Sequence, residues 1–354
     1  MTAPCTDTPI WDSETDDVLV CRHVIDETHD VRSFIFAPRT PARFRFDPGQ
    51  FITLLLNIGG QEINRCYTVS SPPTRPDRIS ITVKRVPGGP VSNWLHDNLR
   101  AGSEIHALAP QGIFSLTRHP SPKCLFLSGG SGITPLMSMT RFLRDRADEQ
   151  DTVFVHCART PADIIFRAEL DLLAATTPRL RIAHIVESAD GTWPGHRGRL
   201  SLPSLKLIAP DLAEREIFTC GPGPFMAAAR AICAEAGHDP ARYHEESFTF
   251  EDLAKPAATP VATSGAAPAY RIEFTRAGRI IDGGADITIL DAAAAVGLNL
   301  PSSCTQGMCG TCKSRLIYGE VDMNHAGGIR KREIEQGLIL LCCSKPRSNL
   351  VIER

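Results

Sequence analysis

The strongest chemical signal in this sequence is a set of cysteines near its C-terminal end. Cys304, Cys309 and Cys312 stand with four and then two residues between them, and a further cysteine follows after a long gap, at Cys342 or at its neighbour Cys343. Three thiolates on one tight loop with a remote fourth is the spacing that holds a two-iron, two-sulfide cluster, because iron and sulfide are soft partners for sulfur. Gly307 and Gly310 let the backbone wrap closely around such a group. Zinc is the alternative reading, but zinc sites usually show two short Cys-x-x-Cys pairs, and here there is one triple and one remote single.

Two glycine strings carry the second signal. Ser128-Gly129-Gly130-Ser131-Gly132-Ile133-Thr134-Pro135 lies between an apolar strand and a helical stretch. Thr219-Cys220-Gly221-Pro222-Gly223-Pro224 does the same further on. Turns of this kind admit close backbone approach, and the start of a helix attracts phosphate. The first string is not the Gly-x-Gly-x-x-Gly dinucleotide fingerprint, and alone it could be a structural turn. A third signal, Arg65-Cys66-Tyr67-Thr68, follows a strand. Arg can pair with a pyrophosphate, Tyr can stack on an isoalloxazine, and a hydroxyl can reach a ring nitrogen. The bland reading is a strand with an exposed Arg and a core Tyr. Asp47-Pro48-Gly49-Gln50-Phe51 upstream strengthens the flavin reading, as does Gly88-Gly89-Pro90-Val91-Ser92-Asn93-Trp94-Leu95 downstream, a glycine turn opening a helix.

These residues need three kinds of scaffold. Residues 18–115 alternate apolar and polar positions in short runs, such as Val31 to Phe36 and Ile79 to Lys84, punctuated by Pro and Gly. That predicts an antiparallel β-barrel with one helix over Val91–Leu99. Residues 120–248 alternate strands with helices, one over Pro135–Ala147, which predicts an α/β parallel sheet. Residues 269–354 suggest a hairpin from Tyr270 and Ile280, a short helix over Ile289–Val296, and then the cysteines. Small residues and prolines dominate 251–268, as in a linker. The expected units are therefore 15–118, 119–250 and 269–354, joined across 251–268.

Composition narrows the function. The chain has 354 residues, 42% hydrophobic and 22% charged, with a formal net charge of −2. This argues against a general nucleic-acid or membrane-surface binder. No apolar run approaches the ~20 residues that span a bilayer, and the acidic start is unlike a secretory signal. A cytoplasmic location is the default. Of twelve cysteines, seven are scattered from Cys5 to Cys233 and five cluster at the end, which suits cluster ligands in a reducing compartment better than a disulfide framework.

Taken together, the motifs resemble the ferredoxin–NADP reductase superfamily, over nearly the whole chain apart from its first residues and the linker. The Arg-x-Tyr-Thr run and the Gly-Gly-Pro-Val-Ser turn are similar to its FAD domain. The resemblance implies that Arg65, Cys66, Tyr67 and Thr68 line the FAD site, with Val91 and Ser92 over the pyrophosphate, and it favours FAD over FMN. The two glycine strings match its Gly-Gly-x-Gly-x-Thr-Pro and Cys-Gly-Pro signatures. That implies Gly130, Gly132 and Thr134 at the pyrophosphate and nicotinamide, Cys220 near the hydride-donating carbon with Gly221 and Pro222 beside it, and Phe248 as an aromatic beside the flavin. Thr68, Cys220 and Phe248 are then the expected catalytic residues. Leu341-Cys342-Cys343-Ser344-Lys345-Pro346 resembles plant-type ferredoxins, which selects Cys342 as the fourth ligand with Cys304, Cys309 and Cys312, and implies a β-grasp fold. NADH is expected over NADPH, because Glu187 and Asp190 would repel a 2′-phosphate, while Arg159 and Arg197 leave NADPH as the alternative.

Within that superfamily, the run Asn64-Arg65-Cys66-Tyr67 looks like the reductase component of Rieske-type monooxygenases acting on glycine betaine and similar quaternary amines. The NADH reductase of hybrid-cluster protein is the second choice. A dihydroorotate dehydrogenase electron-transfer subunit also joins FAD to such a cluster, but has a short gap before its last cysteine. A non-enzymatic redox sensor would not need both nicotinamide turns. The expected partner is an oxygenase or other one-electron acceptor protein, with NAD(P)H as reductant and neither nucleic acid nor membrane.

Overall fold

The computed structural model describes residues 8–248 and 269–354. The expected linker 251–268 and Cys5 lie outside the described residues.

The first unit contains β1 (Val18–Thr28), β2 (Val31–Pro38), β3 (Phe51–Ile58), β4 (Gln61–Thr68), β5 (Ile79–Lys84), α1 (Pro90–Asn98) and β6 (Glu104–Gln111). The strands run in the order β4-β3-β6-β1-β2-β5, and every pairing is antiparallel. A bridge between Val69 and Ile81 brings the two ends of that order together and closes the barrel. Alternation does the sorting. Phe34 and Phe36 of β2, Ile52 and Leu54 of β3 and Ile79 and Ile81 of β5 fill one core, capped by Val91 and Leu95 of α1. The helix starts one residue earlier than the sequence suggests, since Pro90 has the fixed φ that a first helical position wants.

The second unit contains β7 (Lys123–Gly129), α2 (Ile133–Asp145), β8 (Asp151–Ala158), α3 (Arg167–Thr176), β9 (Leu180–Val186), β10 (His196–Arg197), α4 (Leu202–Ile208), β11 (Glu216–Gly221), α5 (Gly223–Glu235) and β12 (Tyr243–Ser247). All its strands are parallel, in the order β10-β9-β8-β7-β11-β12. Because helices cover both faces, the strands read as continuous apolar runs. Leu136, Leu143, Leu170 and Leu173 from α2 and α3 pack on one face with Phe126 and Phe154. Leu205, Ala229 and Ile232 from α4 and α5 pack on the other with Leu125 and Val153. Helix α2 begins two residues before Pro135, because the Gly130–Gly132 turn already winds into it.

The third unit contains β13 (Ala269–Phe274), β14 (Arg279–Gly284), α6 (Ile289–Ala295), β15 (Lys313–Tyr318), β16 (Val321–Met323), α7 (Lys331–Glu335), β17 (Leu338–Leu340), β18 (Ser344–Pro346) and β19 (Leu350–Glu353). Its five-stranded sheet has the order β14-β13-β19-β15-β17. Helix α6 closes the core against Ile272, Phe274 and Leu340. Its N-cap is Thr288, whose hydroxyl accepts from the Asp291 N–H at 3.2 Å.

This third unit docks on the first. Asn64 Nδ2 donates to Gly310 O at 2.8 Å, and Phe51 packs against Met308 and Cys309. Asp17 is the hub of a polar clasp. It takes His106 Nδ1 at 2.9 Å, Arg332 at 2.6 Å and Arg330. The Lys331 N–H donates to Glu14 at 3.3 Å. Burial alone would raise the Asp17 carboxyl, but His106 and the two guanidiniums reverse the balance and hold it below the usual carboxylate range.

Candidate functional site

The strand order of the second unit reverses at β7. The chain steps from β7 to β8 and β9 on one side, then places β11 on the other. Ligands of open α/β sheets bind at such a switch point, beyond the carboxyl ends of the strands. Both glycine strings lie there. Gly132 has no room for a side chain, since a Cβ would sit 2.3 Å from Cys220 O. Its bareness lets the start of α2 abut the end of β11. Gly130 is left-handed at φ +52° with open space beside it. Thr134 is buried in the first turn of α2, where its hydroxyl donates to Ser131 O at 3.2 Å. Pro222 is exposed and caps the start of α5.

Strand register assembles the next layer. Cys220 on β11 is paired with Ser128 on β7 and with Glu246 on β12. Thr68, at the end of β4, reaches across from the first unit, its hydroxyl donating to Glu246 Oε2 at 3.4 Å. Three side chains far apart in sequence thus meet in one place, with Thr68 and Cys220 buried and Glu246 partly so. Burial pushes the Glu246 carboxyl up to about 8, with the Thr68 bond opposing the rise. Burial also pushes the Cys220 thiol well up, and the neighbouring Glu246 adds to that. Both shifts favour the neutral thiol of Cys220 and the protonated carboxyl of Glu246. Behind the turn, the Ser128 hydroxyl lies 2.7 Å from His156 Nδ1, and burial pushes that imidazole down to about 3.

In the run Glu245-Glu246-Ser247-Phe248, whose place at the end of the domain the resemblance sets beside the flavin, Glu246 itself is given no role. Phe248 two positions later is given one, and it stands at the end of the described stretch with 41% of its surface exposed, outside this pocket. The role of Glu246 comes from a register, Cys220 opposite Glu246, which the run by itself does not give. Ser92 is engaged within its own turn. Its hydroxyl accepts from the Val86 N–H at 3.1 Å and donates to Gly89 O at 3.4 Å, so it shapes the turn before α1.

Strand β4 is the element common to all parts. Side chains alternate along it. Arg65 and Tyr67 lie on one face, where Tyr67 is half-buried against the barrel core. Asn64, Cys66 and Thr68 share the other. Asn64 and Cys66 meet the cysteine loop of the third unit, and Thr68 meets Glu246 of the second.

That loop is arranged as thiolates require. Cys304 Sγ accepts from the Gln306 N–H at 3.4 Å and the Met308 N–H at 3.2 Å, and Cys309 Sγ from the Cys304 N–H at 3.4 Å. Gly307 and Gly310 have φ near +70°, and a Cβ would lie 2.9 Å from Cys343 Sγ and 2.6 Å from Gly328 O respectively. The sulfurs fall into two neighbouring pairs, Cys304 with Cys309 and Cys312 with Cys342. Such a donor set fits two irons better than one zinc. Cys343 turns toward Leu340 O at 3.7 Å.

Two other features could be mistaken for sites. A cleft of about 580 Å³ runs between β1, β2 and β5 of the barrel and Arg141 and Glu169 of the second unit, and shares no residue with the pocket above. His119, Glu216 and His244 come close together. However, the two rings stack face to face at 3.6 Å, so their lone pairs do not converge, and Glu216 already accepts from Arg242.

Family models match this chain in three consecutive stretches: an oxidoreductase FAD-binding domain over residues 19–116, an oxidoreductase NAD-binding domain over 126–231 and a 2Fe-2S iron–sulfur cluster binding domain over 273–347. The glycine betaine monooxygenase reductase subunit of Pseudomonas aeruginosa is 46% identical over 349 residues, 94% of each chain. The stachydrine N-demethylase reductase subunit of Rhizobium meliloti is 42% identical, covering 95% of this chain and 96% of that one. Among solved structures, phthalate dioxygenase reductase superposes with a TM-score of 0.58 at 24% identity, over 97% of this chain and all of that one.

Proposed function

This chain belongs to the family of reductase components of oxygenase systems that carry FAD-binding, NAD-binding and [2Fe–2S] domains, and on that premise we propose that it feeds electrons from NADH to a Rieske-type monooxygenase that demethylates glycine betaine or a similar quaternary amine. FAD supplies the step between a two-electron donor and a one-electron carrier, which neither nicotinamide nor cluster can make alone.

The observation that carries the reading is the single face of β4. Thr68 faces the pocket of Cys220 and Glu246, and Cys66, two residues back, faces the cysteine loop. This supports a reading in which electron entry and exit lie on successive same-face positions of one strand. Arg65, Tyr67 and the turn at Val91 and Ser92 are proposed to hold FAD. Gly130, Gly132, Thr134, Gly221 and Pro222 are proposed to cradle the dinucleotide. Cys304, Cys309, Cys312 and Cys342 are proposed as cluster ligands. In this reading Thr68 orients the Glu246 carboxyl, whose protonated form burial favours, and Cys220 packs as a neutral wall beside it. Phe248 remains a proposed flavin-side aromatic.

NADH is proposed over NADPH. Arg197 donates to Ala189 O at 2.8 Å and to Asp190 O, and Arg159 pairs with Asp163 at 3.1 Å. Both guanidiniums are engaged, and Glu187 stands nearby.

The test is reconstitution. The purified chain, an oxygenase component specific for a quaternary amine, the amine and NADH should release formaldehyde in step with NADH oxidation. NADH oxidation supporting cytochrome c reduction but no amine-dependent turnover with any such oxygenase would overturn the assignment of the acceptor.

A further inference from the structure

Cys66 stands between the two halves of the electron path, in surroundings unlike those of Cys21, Cys124, Cys220 and Cys233. Cys21, Cys124, Cys220 and Cys233 are buried in apolar cores. Cys66 instead joins a small cluster with Phe51, Met308, Cys304 and Cys309, at the seam between first and third units. Its cross-strand neighbour Thr53 is fully buried, with Oγ1 3.5 Å from Cys66 Sγ. Asn64, on the same face of β4, anchors the seam through Gly310 O at 2.8 Å. Cys66 is thus pinned from behind and faces Cys309 in front.

We propose that Cys66 is a positioning residue for the cluster: with the Thr53 hydroxyl donating to its sulfur, the Cys66 S–H donates to Cys309 Sγ and raises the reduction potential of the iron–sulfur centre. The inference rests on the reading of Cys309 as a ligand. A cluster gains one electron and no proton on reduction, so its sulfurs become more negative. A donor aimed at one of them favours the reduced form, as hydrogen bonds to cluster sulfurs do in general. Cys66 packs against Cys309 within hydrogen-bonding reach. The consequence is directional. The same seam that brings the third unit onto β4 makes its cluster a better acceptor while docked, and the donor is withdrawn if the unit leaves.

The test is a redox titration of the full chain followed by electron paramagnetic resonance, with iron and acid-labile sulfide measured on each sample. Cys66→Val fills the space without a donor, and should keep two irons per chain while its midpoint falls by about tenfold in the one-electron equilibrium, about 59 mV. Cys66→Ser restores a donor and should lie near the parent value. If Cys66→Val assembles no cluster, Cys66→Ala is read in its place. An unchanged midpoint in the donor-less variant overturns the proposal. Equal shifts in the valine and serine variants also overturn it, since packing would then be the cause. A parent protein without two irons and two sulfides removes the ligand reading itself, which separates that failure from this one.

Discussion

The cysteine loop and the pocket at the ends of β7 and β11 handle charge in opposite ways. The loop is built locally. Nine residues from Cys304 to Cys312 supply three sulfurs, two glycines at positive φ and backbone N–H groups aimed at sulfur. The pocket is built at a distance. Thr68, Cys220 and Glu246 come from three strands and two units, and meet only because β11 and β12 pair in one register. The loop stabilises negative charge with donors, whereas burial at the pocket raises Cys220 and Glu246 and disfavours charge on them. The difference teaches that one chain can hold two neighbouring sites of opposite polarity, provided a strand such as β4 fixes their separation.

The sharpest break of that comparison is Cys309→Ser. Cluster signals in electron paramagnetic resonance should vanish while ferricyanide reduction by NADH persists. A normal cluster in this variant would remove Cys309 from the ligand set. Next is Gly132→Val on the pocket side. Its Cβ would fall 2.3 Å from Cys220 O, so α2 and β11 must part. A loss on the order of a hundredfold in kcat/KM for NADH is expected, from misplacement of about 1 Å, with flavin and cluster content intact. Parent-like kinetics would show that the close approach is dispensable.

Glu246→Gln gives a smaller, pH-dependent effect. The carboxyl lies near 8 in the fold against an ordinary value of 4.5. The folded chain therefore binds more protons than the unfolded chain between those limits, and Glu246 costs stability as pH rises from about 5 to about 8, then levels off. Thermal melts of parent and variant should diverge across that window in the variant's favour. Parallel curves would mean that Glu246 is ionised and solvated.

The smallest effect is expected for Asp17→Asn, which loosens the clasp between first and third units without touching either site. Cytochrome c reduction should fall about two- to fivefold relative to ferricyanide reduction, as for a partly buried ion-pair network. Asp17 titrates below its ordinary value, so its contribution is present above the unfolded carboxylate pKa and lost as pH falls through the lowered folded value. A ratio unmoved by the substitution would mean that the clasp does not govern transfer.

Much of this was legible in the residues. Alternation in β2 and β5, apolar runs in β7 and β8, and the cysteine spacing each report their own neighbourhood, so three units in this order could be read directly. Gly132 and Gly221 were legible as turns for the same reason. What could not be read is what depends on pairing between distant segments. Glu246 looks like any charged residue near a strand end until β12 lies beside β11. Cys66 looks like a companion of Arg65 and Tyr67 until alternation turns it to the opposite face and the third unit closes on it. The Asp17 clasp joins residues more than three hundred positions apart, with no motif at either end.

That clasp also bears on how the molecule is made. The ribosome completes β4, Phe51 and the acidic turn at Glu14 and Asp17 long before the cysteine loop emerges. With roughly 200 residues still to come at about 5–20 residues per second, the interval is on the order of 10–40 s. During it the barrel, already able to fold, shows an apolar and acidic patch with no cover, and the middle unit must mature beside it without claiming it.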